Sequence, residues 1–160
     1  MGYTAAVNYL YGLQKHGIKL GLENTAKLLF LSGNPQNHFS SVHIAGTNGK
    51  GSTSVIIASV LQAAGFRTGL FTSPHLVSFT ERIRVNNEEI AESDVVSLAE
   101  EIRFKIQDSR FKLNPTFFEF VTVMGLLYFK RKNIDWAVVE TGMGGRLDAT
   151  NVLLPEASVI

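Results

Sequence analysis

The order of apolar and polar residues along the chain predicts a series of alternating helices and strands. In some segments apolar residues recur every three or four positions, which is the spacing of one helix face. In others they form short, nearly unbroken runs, which is typical of parallel strands covered on both faces. The predicted helices cover residues 3–15, 22–31, 55–64, 93–111 and 116–130, and the predicted strands cover residues 41–45, 68–72, 83–85, 136–141 and 157–160. This alternation indicates an α/β fold with a mostly parallel sheet flanked by helices, whose ligand site lies at the carboxyl ends of the strands.

Local turn and capping residues refine the middle of the chain. Asn86-Asn87 separates the strand at residues 83–85 from a short return to Ile90, which predicts a small hairpin. Ser93 or Asp94 is the candidate N-cap of the helix that follows, because a short polar side chain can accept a hydrogen bond from the first free backbone N–H groups.

Composition and charge exclude several classes of protein. The 160 residues suit a single domain, and they include 15 Lys and Arg, 14 Asp and Glu, and no Cys. A net charge of +1 without a basic run argues against nucleic acid as a partner, and the lack of Cys excludes thiolate metal sites and disulfides. The most apolar stretch, residues 120–129, is about half of what a membrane-spanning helix needs. We expect a cytoplasmic protein that binds neither nucleic acid nor membranes.

The end of the chain suggests that these residues are a fragment. An apolar strand is predicted to begin at Ala157, and the chain ends three residues later at Ile160. Open apolar strands invite aggregation, so a complete domain seldom ends on one. Charged residues make up 18% of the chain, below the roughly 25% of typical soluble domains, which fits a sheet covered on both faces or a surface that normally faces another domain. The end of the chain favours adding the second explanation. We therefore expect a domain that is truncated before its last strands.

The strongest chemical signal is the sequence Gly-Thr-Asn-Gly-Lys-Gly-Ser at residues 46–52, between a predicted strand and a predicted helix. Glycines let backbone N–H groups turn inward around an anion, and the helix start adds the positive end of its dipole. Lys50 can then reach the β- and γ-phosphates of a nucleotide. The alternative is an ordinary glycine-rich turn with a solvated lysine, but residues and context together favour a phosphate-binding loop.

This loop departs from the common P-loop at the residue after the lysine, where Gly51 replaces a hydroxyl side chain that normally binds Mg²⁺. Another oxygen ligand is then needed, from Ser52 or from another loop. Glu140 ends a predicted strand, and its carboxylate would face the phosphate loop if the two strands are neighbours. It could instead reach solvent. Ser73 is the other candidate, although it could belong to a plain Ser-Pro turn.

Five segments, taken in order, resemble one enzyme family. They are residues 46–52, 72–75, 79–85, 117–120 and 140–151. Together they are similar to the N-terminal part of folylpolyglutamate synthase/dihydrofolate synthase, a branch of the Mur ligase superfamily. The resemblance extends over essentially the whole chain. The first segment alone indicates the superfamily, whereas the Thr-Ser-Pro-His and Gly-Gly-Arg-Leu-Asp-Ala-Thr-Asn segments are specific to this branch.

The resemblance implies a P-loop NTPase-like fold of the Mur ligase central domain type and an ATP-dependent ligase activity. ATP would phosphorylate a substrate carboxylate, and the amine of L-glutamate would attack the acyl phosphate, with release of ADP and phosphate. The implied acceptors are dihydropteroate and reduced folates, the implied cofactors are ATP and Mg²⁺, and we expect a monomer. Residues 1–160 would be the N-terminal ATP-binding domain, inactive without the C-terminal part.

The same resemblance assigns roles to individual residues. Lys50 would be the catalytic residue, at the β/γ end of the nucleotide. The ATP phosphates would be bound by Thr47, Asn48, Gly49, Lys50, Gly51 and Ser52, the metal ion by Ser73 and Glu140, and the pteroate group by Thr116, Phe117, Phe118, Glu119, Leu147, Asp148 and Ala149.

Several of these residues also have a purely structural interpretation. Thr116 and Glu119 have the spacing of a helix capping box. The phenylalanines near them are expected to be mainly core, and Asp148 can orient its own loop instead of touching substrate. The charged residues Glu81, Arg82 and Arg84 are either a solvated hairpin set or part of the loop near the substrate.

Two other functions stay open from the sequence. A Mur ligase that extends a cell-wall nucleotide peptide would share the phosphate loop, but the segments at residues 117–120 and 146–151 count against it. A nucleotide-binding module without catalysis is the second alternative. Ser73 and Glu140 count against that one, because a pure binder would not need both at the phosphate end.

Overall fold

The computed structural model describes residues 1–17, 19 and 21–160 and shows helices packed on a six-stranded sheet. The helices are α1 (Tyr3–Gly12), α2 (Glu23–Leu31), α3 (Lys50–Ala63), α4 (Glu92–Asp108) and α5 (Phe117–Arg131), and the strands are β1 (Ser40–Ile44), β2 (Thr68–Phe71), β3 (Ile83–Val85), β4 (Glu88–Glu89), β5 (Trp136–Glu140) and β6 (Ala157–Val159). No helix within residues 1–17, 19 and 21–160 is long and apolar enough to cross a membrane.

The sheet has the strand order β4-β3-β2-β5-β1-β6. The strands β2, β5, β1 and β6 run parallel, and the hairpin β3–β4 adds two antiparallel strands at one edge. The α/β fold with a mostly parallel sheet is therefore confirmed. The central strands β1 and β5 pair directly, with Ile44 opposite Glu140, so their carboxyl ends lie side by side.

The two faces of the sheet are covered unequally. Along β5, Ala137 and Val139 pack into the large core with α1, α2, α4 and α5, whereas Val138 points to a smaller cluster with α3. Residues 119–129 of α5 are all buried. The helix α3 covers the other face, and only its Ser54 and Ala58 are buried. The helix α5 is therefore covered almost completely, whereas α3 is covered on one side only.

Most predicted boundaries agree with the structure to within a few residues, with two instructive exceptions. The helix α3 begins at Lys50 rather than at residue 55, because the phosphate loop leads directly into the helix. The helix α4 is preceded by Ala91 and has no side-chain cap, so the prediction of a cap at Ser93 or Asp94 is wrong. Asp94 lies in the first turn, where its charge faces the positive end of the helix dipole.

Two local predictions are confirmed in detail. Asn86 and Asn87 adopt positive φ angles of 50° and 66°, as a tight hairpin turn requires. Thr116 and Glu119 form the capping box of α5: the Thr116 hydroxyl accepts from the Glu119 N–H at 3.2 Å, and Glu119 Oε2 accepts from the Thr116 N–H at 2.7 Å.

Candidate active site at the carboxyl edge of the sheet

The phosphate-loop sequence forms an open turn between β1 and α3. Gly46 and Gly49 have φ angles of 137° and 76°, which other residues adopt only at a cost, so glycine is required at both positions. Residues 47–49 are exposed, and the backbone N–H groups at the start of the 14-residue helix α3 are therefore accessible to a ligand. Lys50 folds over the turn, and its Nζ donates to the Gly46 carbonyl at 2.9 Å.

Glu140 lies against this loop at the carboxyl end of β5. A Cβ atom placed on Gly51 would be 3.8 Å from Glu140 Oε2. The Glu140 residue is only 4% exposed, so the alternative of a solvated strand-end charge is wrong. Burial raises the pKa of Glu140, and hydrogen bonding from the Ser73 N–H and the charge of Lys50 oppose that rise. The Glu140 carboxyl group is thus buried and faces the glycine-rich loop.

Ser73 joins the phosphate loop to a second region of the site. Its backbone N–H donates to Glu140 Oε2 at 3.1 Å, and the peptide bond to Pro74 is cis. The backbone of Ser73 and the carboxylate of Glu140 are therefore neighbours, which is more than a plain Ser-Pro turn requires. Within the described part of the chain, no three His, Asp or Glu side chains group together as a metal site. Ser73 and Glu140 each carry a hard oxygen donor.

A cavity of about 450 Å³ opens beside Ser73. All of the residues predicted for an acceptor site line it: Thr116, Phe117, Phe118, Glu119, Leu147, Asp148 and Ala149. Seven further residues line the cavity: Gln14, Gly17, Lys19, Pro74, Arg82, Gly142 and Met143. The sequence left Arg82 open between a solvated charge and the loop near the substrate, and it assigned no role to the other six. Gln14, Gly17 and Lys19 are far along the chain from the other lining segments, so no local motif could have revealed them.

One wall of the cavity is aromatic and tightly packed. Phe117 and Phe118 are only half-buried: they pack on the core with one side and face the cavity with the other, so the expectation that they are mainly core is only partly correct. Phe120 is fully buried. A Cβ atom on Gly142 would lie 2.6 Å from Phe118 Cζ, so the strand-to-loop turn after β5 must be glycine for the ring to lie there.

Another part of the cavity wall is the loop that follows β5, and Asp148 shapes it. Asp148 Oδ2 accepts from the backbone N–H groups of Gly142 and Met143 at 2.9 and 2.8 Å, and Oδ1 accepts from the N–H and hydroxyl of Thr150. The interpretation that Asp148 orients its own loop is confirmed. The buried His43 ring completes this arrangement, with Nε2 2.7 Å from the Thr150 hydroxyl.

The polar groups at the start of α5 are also occupied by the fold. Glu119 is 3% exposed, and its Oε2 accepts both in the capping box and, at a longer 3.4 Å, from Nδ2 of Asn24. Thr116 is likewise buried. Both residues border the cavity, while the Thr116 hydroxyl and Glu119 Oε2 are hydrogen-bonded at the helix start.

The charged residues Glu81, Arg82 and Arg84 were predicted to be either a solvated hairpin set or part of the loop near the substrate, and the structure distinguishes them. Glu81 accepts from the N–H groups of Leu76, Val77 and Ser78, and these hydrogen bonds lower its pKa to about 2. Arg84 pairs with Glu89 at 3.5 Å. Arg82 is only 7% exposed and lines the cavity, so a solvated role for it is wrong.

Comparisons with known proteins agree on one group of enzymes. The chain is 38% identical over 163 residues to folylpolyglutamate synthase of Lacticaseibacillus casei, covering 100% of this chain and 38% of that protein. The crystal structure of folylpolyglutamate synthase from Thermotoga maritima has 46% sequence identity and a TM-score of 0.86, over 96% of this chain and 36% of that one. The Escherichia coli FolC structure in complex with DHPP and ADP has 38% identity and a TM-score of 0.89, over 99% and 38%.

These similarities extend over the whole of this chain but only part of its relatives. The chain spans 38% of the length of the Lacticaseibacillus casei enzyme and 20% of that of a related enzyme of Halobacterium salinarum. No family model matches the chain.

Proposed function

Because the chain is homologous throughout its length to the N-terminal portion of folylpolyglutamate and dihydrofolate synthases, we propose that it is the ATP-binding part of a ligase that joins L-glutamate to a pterin-bearing acid. The acceptor would be dihydropteroate, a folyl(poly)glutamate, or both. The observation that carries the proposal is the position of Ser73, which hydrogen-bonds Glu140 beside the phosphate loop and also lines the aromatic cavity. A nucleotide and an acceptor would therefore meet at this residue.

The proposed reaction needs positioning more than side-chain chemistry. An oxygen of the acceptor carboxylate attacks the γ-phosphorus of ATP, and the bond to the bridging oxygen breaks with its electron pair leaving on ADP. The glutamate amine then attacks the acyl carbon, and phosphate leaves as a proton is lost from nitrogen. The backbone N–H groups of residues 47–52 would bind and orient the phosphates, and Lys50 would offset their charge.

The residues beside the loop fit a magnesium ion. Glu140 is a buried carboxylate without a salt bridge among the described residues, and Ser73, whose side chain carries a hydroxyl, hydrogen-bonds to it through the backbone N–H. Hard oxygen donors of this kind are what Mg²⁺ prefers. We propose that Ser73 and Glu140 would hold the ion, which when bound would neutralise charge on the transferred phosphoryl group.

The cavity suits the acceptor. Its volume of about 450 Å³ is within the usual range of small-molecule sites, and the half-buried rings of Phe117 and Phe118 offer flat apolar surface to a planar heterocycle. The loop braced by Asp148 closes the other side. Such walls would also keep water away from an acyl phosphate, because water would otherwise hydrolyse this intermediate.

The proposal assigns only part of the ligase to this chain. Residues 1–160 would be its N-terminal ATP-binding domain, and residues that bind the incoming glutamate would lie elsewhere in the protein. Residues 1–160 would then not turn over alone. A monomeric state, a cytoplasmic location, and the lack of nucleic-acid and membrane partners stay predictions from the sequence.

The test is phosphate release from Mg-ATP by the full-length protein. L-Glutamate would be combined in turn with dihydropteroate, tetrahydrofolate and a cell-wall nucleotide peptide. We expect phosphate release that requires both glutamate and a pterin acid and that disappears in Lys50→Ala. The control is Lys105→Ala, which removes a lysine of α4 that pairs with Glu101 and should retain phosphate release. Release only with the cell-wall peptide would indicate a Mur-type ligase, and no release with any acceptor would indicate a nucleotide-binding module.

A further inference from the structure

Arg82 is a buried cation that has no carboxylate partner among the residues that the structure describes. The residue is 7% exposed, and no carboxylate within residues 1–17, 19 and 21–160 lies within 4.0 Å of its guanidinium. Arg84, two residues further along, does pair with Glu89. An unpaired buried charge is costly, so proteins rarely keep one without a ligand or a function that compensates for it.

Its neighbours hold the guanidinium in one orientation. Arg82 Nε donates to His75 Nδ1 at 2.7 Å, and the guanidinium carbon lies 5.2 Å from the centre of the Phe117 ring. Since Nδ1 must accept, the proton of the neutral His75 ring is on Nε2, which donates to the Tyr11 hydroxyl at 2.9 Å. Tyr11 in turn stacks on Phe117, with ring centres 5.6 Å apart. The terminal nitrogens of Arg82 have no hydrogen-bond partner among the residues that the structure describes.

Arg82 also lies between the two halves of the site. Its carbonyl accepts from the Thr72 N–H at 3.0 Å, which fixes it next to the residue that precedes Ser73. Its side chain lines the cavity together with Ser73 and Phe117. An anion held there would be close to the aromatic wall on one side and to the phosphate edge on the other.

We propose that Arg82 binds the reacting carboxylate of the acceptor through its terminal nitrogens and presents it to the phosphate edge. The planar guanidinium matches a carboxylate in a bidentate arrangement, which gives both affinity and direction. The positive charge would also offset repulsion between this carboxylate and the nucleotide phosphates. This inference rests on the proposed function. It assigns to Arg82 the preference of the site for a pterin acid over a neutral pterin compound.

The test compares an acid with its neutral counterpart. Equilibrium binding of dihydropteroate and of its primary carboxamide would be measured with the full-length wild-type protein, Arg82→Gln, Arg82→Lys and Arg84→Gln. Wild type should prefer the acid by about 10- to 100-fold, which is the strength of a hydrogen-bonded charge pair. Arg82→Gln should lose that preference while still binding the carboxamide, Arg82→Lys should retain a fraction of it, and the control Arg84→Gln should keep it in full.

Other results would overturn the inference. Equal loss of acid and carboxamide in Arg82→Gln would show that the residue only supports the fold, and a weaker affinity for ATP alone would assign it to the nucleotide. A wild-type protein that binds neither ligand would contradict the proposed function itself, and the inference with it. A wild-type protein that binds both equally would contradict the inference alone.

His75 provides a second test, as a residue that positions Arg82. His75→Gln keeps an oxygen that can accept from Arg82 Nε and an amide that can donate to Tyr11, whereas His75→Leu keeps neither. We expect acid-over-carboxamide preference to survive largely in His75→Gln and to fall in His75→Leu, with carboxamide affinity similar in both. The same preference in both variants would show that His75 does not position the guanidinium.

Discussion

The two ends of the candidate site are built in different ways. The phosphate end is mostly one continuous segment, residues 46–52, whose function depends on backbone N–H groups and on two glycines with positive φ. Glu140 and Ser73 join it from the ends of neighbouring strands. The acceptor end is assembled from separate segments between Gln14 and Ala149 and depends on side chains that pack on one another.

This difference implies different consequences of mutation. At the phosphate end the chemical groups are held by the backbone, so a side chain can be changed with little effect on folding and a large effect on turnover. At the acceptor end the same side chains form the walls and the core, as Phe118 does. A change there should alter acceptor binding and stability together.

Glu140→Gln should have the largest effect on activity, and it should affect the phosphate end without affecting the acceptor end. The amide keeps an oxygen for the Ser73 N–H but loses the charge that would hold Mg²⁺, so we expect phosphate release to fall by at least about 100-fold. The substitution also removes a buried charge, so in Mg²⁺-free buffer at pH 7 the variant should unfold at or above the wild-type temperature. Unfolding at a lower temperature would show that the carboxylate supports the fold.

Gly142→Ala should disturb the acceptor end. The new Cβ would lie 2.6 Å from Phe118, and such overpacking costs about 1–3 kcal/mol of stability. We expect the KM for the pterin acid to rise about tenfold, as the ring is displaced, and the KM for ATP to stay within about twofold. Gly145→Ala in the same loop is the matched control, since its Cβ would meet Ala45 at an ordinary 3.7 Å. Equal KM changes for both substrates would contradict the separation of the two ends.

The sequence predicts the phosphate end well because its signals are local. A glycine-rich turn between a strand and a helix carries its mechanism within seven residues, and Glu140 could be placed by the rule that parallel strands share a carboxyl edge. The residues of the acceptor end were predicted only from the family resemblance. Gln14 and Lys19 were missed and the role of Arg82 was left open, because their contacts join segments that no spacing rule connects.

The burial of α3 and α5 shows which property of a helix depends on tertiary packing. Both α3 and α5 are rich in apolar residues, yet residues 119–129 of α5 are all buried while Ile56 and Val60 of α3 are 63% and 62% exposed. The sequence pattern specifies that each forms a helix. Which faces are covered depends on how many elements pack on each side of the sheet, and that is a tertiary property.

Thr116→Ala should reduce the stability of the fold moderately, at a residue that also borders the acceptor end. It removes the oxygen that accepts from the Glu119 N–H at the start of α5, and loss of such a cap costs about 1 kcal/mol. Denaturant unfolding should show that loss, and Thr116→Ser should restore most of it because the hydroxyl is retained. A variant as stable as wild type would show that the capping box is redundant at this helix.

Glu81→Gln should have the smallest effect, and one that depends on pH. The backbone N–H groups of Leu76, Val77 and Ser78 hold the pKa of Glu81 at about 2, below its ordinary value of 4.5. The folded protein therefore binds this proton less readily than the unfolded chain, so the carboxylate stabilises the fold above pH 4.5 and this stabilisation is lost as the pH falls towards 2. Wild type should melt slightly above Glu81→Gln at neutral pH, and the two melting temperatures should converge in that acid window. A constant difference down to pH 2 would mean that the hydrogen bonds of Glu81 stabilise this loop through their geometry and not through the charge of the carboxylate.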